Sequence, residues 1–253
     1  MDNATRLQYL EAMGIDVWLS RVALDSGQSP TFAIADSWEA LQAEVATCRL
    51  CDLCEQRSQS VFGSGNKNAD WVFIGEAPGH SEDQQGLPSG HIDSLPIETL
   101  LTSMDGGNAE DCLEQSRPPS IAVVGNAGQL LTEMLRAIGL EREQVFISNI
   151  VKCRPPDNRE PKAREIETCK PYLLRQLALI RPKIIVILGH VAAQALLNTD
   201  APISELRGKI HALNETPVVV VYHPAYLLRA PLDKRKAWAD LKLAVQTVKN
   251  IKG

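Results

Sequence analysis

Four short apolar runs decide most of what this chain can fold into. Trp71–Ile74 stops at Gly75, Val145–Ser148 leads to Asn149, Ile184–Leu188 stops at Gly189, and Val218–Tyr222 runs into His223. Each is rich in β-branched or aromatic residues and almost free of polar ones, the pattern of strands buried on both faces. Helical patterns lie between them. In Asn126–Ile138 the residues Ala127, Leu130, Leu131, Met134, Leu135 and Ile138 form one stripe, stopped by Gly139. Lys162–Ile180, Val191–Leu197 and Lys234–Val248 supply the rest. Strands and helices in alternation imply parallel strands joined by right-handed crossovers. The expected fold class is α/β, a three-layer α/β/α sandwich with a central four-stranded parallel sheet.

In open α/β sheets ligands bind beyond the carboxyl ends of the strands. Glu76, Asn149, Gly189 and His223 all fall just past those ends. Four strand ends meeting at one edge make that edge the candidate site.

Residues 1–36 read as an N-terminal extension, with an amphipathic helix within 4–22 and a linker at 24–36 (LDSGQSPTFAIAD). A helix then starts at Ser37 as N-cap, places Trp38, Leu41 and Val45 at helical spacing, and runs into Cys48. The main domain is expected to span 37–250. Segment 87–122 breaks its rhythm: six acidic residues against one basic, no Phe, Tyr or Trp, and clusters of Gly and Pro. A segment of that length without clear elements reads as an insertion or a functional loop. Its one helix signal is Ile97–Met104, with Pro96 at the first position.

A net charge of -5 argues at first against a polyanionic partner, but the charge is uneven. Residues 1–60 carry nine acidic and four basic side chains, whereas 123–253 carry twenty basic and twelve acidic. The second half is suited to a phosphate backbone. No stretch approaches the roughly 18 consecutive apolar residues of a membrane span. The start, MDNATRLQYLEAM, lacks the zones of a signal peptide, so the expected location is cytoplasmic.

Six cysteines in a reducing compartment point to metal ligation, catalysis or burial rather than to disulfides. Cys48 and Cys51 form a C-x-x-C pair, and fifteen residues separate Cys153 from Cys169. Two ligands on one turn and two from elsewhere suit zinc or an iron–sulfur cluster, and spacing does not choose between them. Cys54, three residues after Cys51, complicates the count; with Cys112 it reads as a free thiol.

Read together, the strand-end segments carry a resemblance. GEAPG (75–79) with ED (82–83), GNAGQLL (125–131), SNIVKCRPPDNREP (148–161), CKPYL (169–173) and YHPAYLLR (222–229) follow in order. Together they resemble the signature segments of family 4 uracil-DNA glycosylases over roughly residues 38–248. The resemblance implies a monofunctional hydrolase that excises uracil from single- or double-stranded DNA after flipping the base. It assigns a 4Fe–4S cluster to Cys48, Cys51, Cys153 and Cys169. Asn149 would read uracil O4 and N3–H, and His223 would donate to O2. Glu76 would orient the attacking water, because Ala77 stands where better-known uracil-DNA glycosylases carry an Asp. Glu82 would crowd C5 of the base and disfavour thymine. The segment after His223-Pro224 would form a wedge loop of Tyr226, Leu227 and Leu228. Arg154, Arg159, Lys162 and Arg229 would meet phosphates. The chain is expected to be monomeric, with segment 87–122 or the N-terminal extension available to a repair or replication protein.

The sequence departs from the family at one point. The family stacks uracil on a Phe in a P-F-V-G segment; here the residue two before Gly125 is Val123, the residue after Pro88 is Ser89, and Asn126 replaces the usual Arg. Either something in the insertion, such as His91, covers the base, or the pocket has changed its ligand. The second reading is therefore an iron–sulfur module of the same fold, DNA-binding or protein-binding, with weakened catalysis. A zinc-binding regulator is a third.

Overall fold

The computed structural model describes residues 37–87 and 126–252. The helices expected within 4–22 and at 97–104, with Ser89, His91, Cys112 and Val123, lie outside the described residues. The strands are β1 (Ser64–Gly65), β2 (Trp71–Gly75), β3 (Phe146–Asn149), β4 (Ile184–Leu188), β5 (Ile210–Leu213) and β6 (Thr216–Val221). The helices are α1 (Trp38–Thr47), α2 (His80–Gln85), α3 (Asn126–Ala137), α4 (Ala163–Ile180), α5 (His190–Leu197), α6 (Ile203–Leu206), α7 (Pro224–Arg229) and α8 (Lys234–Lys252).

The four apolar runs are the four parallel strands, in the order β3-β2-β4-β6. The expectation of a four-stranded sheet is corrected to six strands, because a short antiparallel strand closes each edge: β1 on β3 and β5 on β6. Neither edge strand has an apolar run to announce it. The first is two residues long, and the second alternates exposed and half-buried positions. A tight turn at Asn214-Glu215, both with positive φ, joins β5 to β6.

Side chains alternate across the sheet as the strand period requires. Val72, Ile74, Ile185, Ile187, Val218 and Val220 pack under α1, α4 and α5 on one face. Phe73, Ile184, Val186, Val219 and Val221 pack under α3 and α8 on the other. The result is the expected three-layer sandwich. Ser37 caps α1 by accepting the Ala40 N–H at 3.0 Å, and Leu41 and Val45 point into the core. No helix among the described residues is long and apolar enough to cross a membrane.

Candidate functional site

The carboxyl ends of β2, β3, β4 and β6 open on a cavity of about 800 Å³ lined by Glu76, Ala77, Asn149, Gly189 and His223. Parallel strands deliver these residues to one edge because every crossover returns the chain to the same end of the sheet.

Asn149 closes β3, one residue later than the apolar run suggests, and is registered against Gly75 of β2. It is 4% exposed, and its Nδ2 has no hydrogen-bond partner among the described residues. A buried donor without a partner costs roughly 1–3 kcal/mol, and this one belongs to a residue that lines the cavity. Gly75 makes room for the amide: a Cβ there would run into Asn149 Oδ1. Gly75→Ala should displace the amide and lower any activity that depends on it by about 10²-fold, the usual effect of moving a positioned group by an ångström. Steady-state kinetics alongside a thermal melt would check this; unchanged kinetics would show that the amide tolerates the shift.

His223 follows β6 and starts α7. Its Nδ1 accepts the Ala225 N–H at 3.1 Å, which leaves the proton of a neutral ring on Nε2. Burial, reinforced by Arg229, pulls its pKa down to about 4, so the imidazole is neutral at physiological pH. The ring packs against Gly189, where φ is +96° and a Cβ would stand 3.3 Å from the His223 Cβ. A side chain there would be strained and would crowd the ring.

The Glu76 backbone carbonyl accepts the Val151 N–H at 3.2 Å, and the residue lines the cavity. Burial pushes its pKa up, Glu160 pushes it further, and His190 opposes both. His190 Nε2 lies 3.4 Å from Glu160 Oε1, and both residues line the same cavity. The sequence reading gave neither a role; the signal for His190 was its place directly after the Gly189 strand end. Glu82 also lines the cavity, but its Oε2 accepts the Gly79 N–H at 2.9 Å and so caps α2.

The segment after His223-Pro224 is a short helix, α7, rather than the expected loop. Pro at its first position presets the helical φ. Leu227 turns into the core at 1% exposure, which removes it from the surface the wedge reading needs. Leu228 and Tyr226 remain exposed. Tyr226 stacks on Tyr222 at 4.9 Å between ring centroids and donates its hydroxyl to Asp233 at 2.7 Å. Of the expected phosphate-binding cations, Arg229 and Arg159 line the cavity. Arg159 is held bidentately by Glu165 at 2.7 and 2.9 Å, and Arg154 donates to Asn158 at 2.7 Å. Lys162 serves the start of α4, its N–H donating to Glu165 at 2.7 Å, and its side chain is exposed.

On the far side of β3, Cys48, Cys51, Cys153 and Cys169 line one recess; Cys54 does not. Two of the four sulfurs meet a donor: Arg57 Nη1 reaches Cys153 at 2.8 Å, and the Lys152 N–H reaches Cys169 at 3.2 Å. Arg57 also ties the carbonyls of Ala46 and Cys48 at 3.0 and 2.9 Å. Burial pushes Cys169 up to about 11, so a bare thiol there keeps its proton; donors aimed at sulfur suit thiolates held by metal. Among the described residues no three Cys, His, Asp or Glu side chains converge on a point that holds a single ion.

The fold is an α/β sandwich whose four central strands are parallel, with a strand-end cavity that holds a buried amide and a neutral imidazole. Comparison with known proteins makes this specific. Residues 62–242 match the model of the uracil DNA glycosylase superfamily. The chain is 38% identical to a Type-4 uracil-DNA glycosylase of Archaeoglobus fulgidus, covering 82% of this chain and 91% of that protein. It is likewise 38% identical to one from Sulfurisphaera tokodaii, over 82% and 83% of the two chains. A third, from Thermotoga maritima, is 36% identical over 76% and 83%. The chain belongs to the uracil-DNA glycosylase superfamily.

Proposed function

We propose that this protein is a monofunctional uracil-DNA glycosylase of the Type-4 kind, a DNA-repair hydrolase acting on uracil-containing DNA. The observation that carries the reading is the buried, unpartnered Nδ2 of Asn149 in the same cavity as the Nε2–H of His223. Uracil offers O4 to the first, N3–H to the Asn149 side-chain Oδ1 and O2 to the second. Cytosine presents an amine and a bare nitrogen at the Asn149 end, leaving both amide groups mismatched.

The base must leave the duplex to reach the cavity. The N1–C1′ bond then breaks, its electron pair passes to the uracil ring, and the sugar becomes cation-like. His223 donates to O2 and so holds the departing anion without giving up its proton. Glu76 orients a water whose oxygen bonds to C1′ and takes up the proton that water loses. The uracil anion takes a proton from solvent as it leaves and Glu76 releases its own to solvent, so the products are free uracil and an abasic sugar. Leu228 and Tyr226 occupy the exposed edge from which a flipped base would be replaced. Among the described residues Tyr222 and Tyr226 are the aromatic carbocycles beside the cavity, in a family that stacks uracil on a Phe.

Cys48, Cys51, Cys153 and Cys169 would hold a 4Fe–4S cluster. A cluster asks each thiolate for a separate iron corner, which suits four thiols that share a recess without converging on one point. With a cluster bound, Cys48 and Cys51 after α1 would be tied to Cys153 and Cys169 of the β3–α4 segment. Cys48→Ser, Cys51→Ser, Cys153→Ser and Cys169→Ser should each lower bound iron and the broad visible absorption, whereas Cys54→Ser and Cys112→Ser should retain both. Iron loss in Cys54→Ser would overturn this ligand set.

Domain 37–250 carries the whole reading, and the cytoplasm is the compartment that keeps such thiols reduced. The weakened-module alternative is not favoured, since the site retains Glu76, Asn149 and His223 together. The test is incubation with uracil-containing single- and double-stranded oligonucleotides followed by alkaline cleavage. Strand breaks at uracil are expected; traces no different from buffer alone would overturn the assignment.

A further inference from the structure

Behind Asn149 lies a buried lysine to which the reaction gives no part. Lys152 is 1% exposed, and its Nζ donates to the Asn149 backbone carbonyl at 2.9 Å, the Gln176 Oε1 at 2.7 Å and the Ser148 hydroxyl. Ser148 and Gln176 are themselves fully buried and anchored on the Phe62 carbonyl, at 3.1 and 2.9 Å. None of the three acceptors is a carboxylate. Burial pulls the Lys152 pKa down to about 7, with the Cys169 and Cys153 sulfurs opposing it, and an apolar side chain of similar length would fill the space at less cost.

We propose that Lys152 is a positioning residue for base recognition: its Nζ fixes the carbonyl of Asn149, and through that backbone the aim of the Asn149 amide. This rests on the reading of Asn149 as the group that meets the base. Asn149 Nδ2 has no partner among the described residues. The direction of the amide is therefore set by the backbone of Asn149 and by the open face of Gly75. Asn149 is the last residue of β3; beyond it Ile150 and Val151 donate to the Gly75 and Glu76 carbonyls at 2.9 and 3.2 Å, and Lys152 adds a hold on the Asn149 carbonyl itself. The backbone N–H of Lys152 meets Cys169 Sγ, so one residue bridges the cysteine recess and the base-reading strand end.

The distinction from a merely structural role lies in coupling. If Lys152 acts through Asn149, deleting the Asn149 amide first removes what Lys152 has to position. The experiment compares wild type, Lys152→Met, Asn149→Ala and the double variant under single-turnover conditions with enzyme in excess over a uracil-containing oligonucleotide. Bound iron, thermal melting and affinity for uracil-free DNA are measured on each. Lys152→Met should keep its iron and its affinity for uracil-free DNA and lose about 10²-fold in excision. In the Asn149→Ala background the same change should cost less than about threefold. Equal losses in both backgrounds, or no loss in either, would overturn the proposal. Should Lys152→Met fail to fold, Gln176→Met and Ser148→Ala each remove one of the other anchors of Nζ. Their smaller losses should likewise vanish on Asn149→Ala, and additive or absent losses would overturn the proposal. If Asn149→Ala excises uracil like wild type, the reading of Asn149 fails, a result recognisable without any Lys152 variant.

Discussion

Asn149→Ala is expected to lower kcat/KM for uracil excision by about 10³-fold or more while leaving the fold and the bound iron intact. Removing a single donor aimed at a reacting group typically costs about 10²–10³-fold, and this change removes a donor and an acceptor together. The variant should still melt cooperatively. The amide's Nδ2 has no partner among the described residues, so its loss orphans none of them. Deleting an unpartnered buried donor can even raise the melting temperature. Loss of excision with stability retained or increased is the signature of a group kept for a ligand. Activity and stability falling in parallel would instead make Asn149 a structural residue. Single-turnover excision and a thermal melt on the same preparation separate the two.

His223→Gln is expected to lower kcat by about 10²–10³-fold with little change in KM, because the donor to O2 matters most once charge has moved onto the ring. Its pH behaviour follows from its surroundings. Burial, with Arg229 adding to it, holds the folded-state pKa at about 4, whereas an unfolded His titrates near 6.5. The neutral donor therefore persists throughout the physiological range, and His223 should impose no acid limb on kcat between about pH 5 and 8. The linkage to stability has a definite sign. The stabilisation from keeping this ring neutral is fully present above about pH 6.5. It declines as pH falls, because the unfolded chain takes a proton that the folded chain refuses, until the folded ring itself titrates near 4. Thermal melts from pH 4.5 to 7.5 should show the wild type losing more stability towards acid than His223→Gln. Identical acid slopes would mean that the ring is not held neutral.

Much of the architecture was legible because burial leaves a chemical mark. The strands buried on both faces had to be apolar throughout, so Ile184–Leu188 and the other three runs stood out. Their alternation with helical stripes fixed the parallel order. The edge strands stayed hidden for the converse reason: Ile210 is 52% exposed and β5 alternates exposed and half-buried positions, so nothing required an apolar run there. The strand-end cavity was legible at Asn149, Glu76 and His223, which line it, because polar residues directly after apolar strands are conspicuous. Leu227 misled, since apolar character at the end of YHPAYLLR fits a DNA wedge and a core contact equally well, and only packing assigned it to the core.

By itself the sequence determined the class of fold, the edge that carries the site and the cysteine pairs, because hydrophobic period and strand-end position are properties of the chain read in one dimension. Only the tertiary structure decided which groups are satisfied. Among the described residues it left Asn149 Nδ2 without a partner, put the proton of a neutral His223 on Nε2, committed Arg159 to Glu165, and set Lys152 beneath Asn149. Hydrogen-bond satisfaction and desolvation depend on neighbours brought together from distant parts of the chain, such as Phe62 and Gln176 around Lys152, and no spacing along the sequence records them.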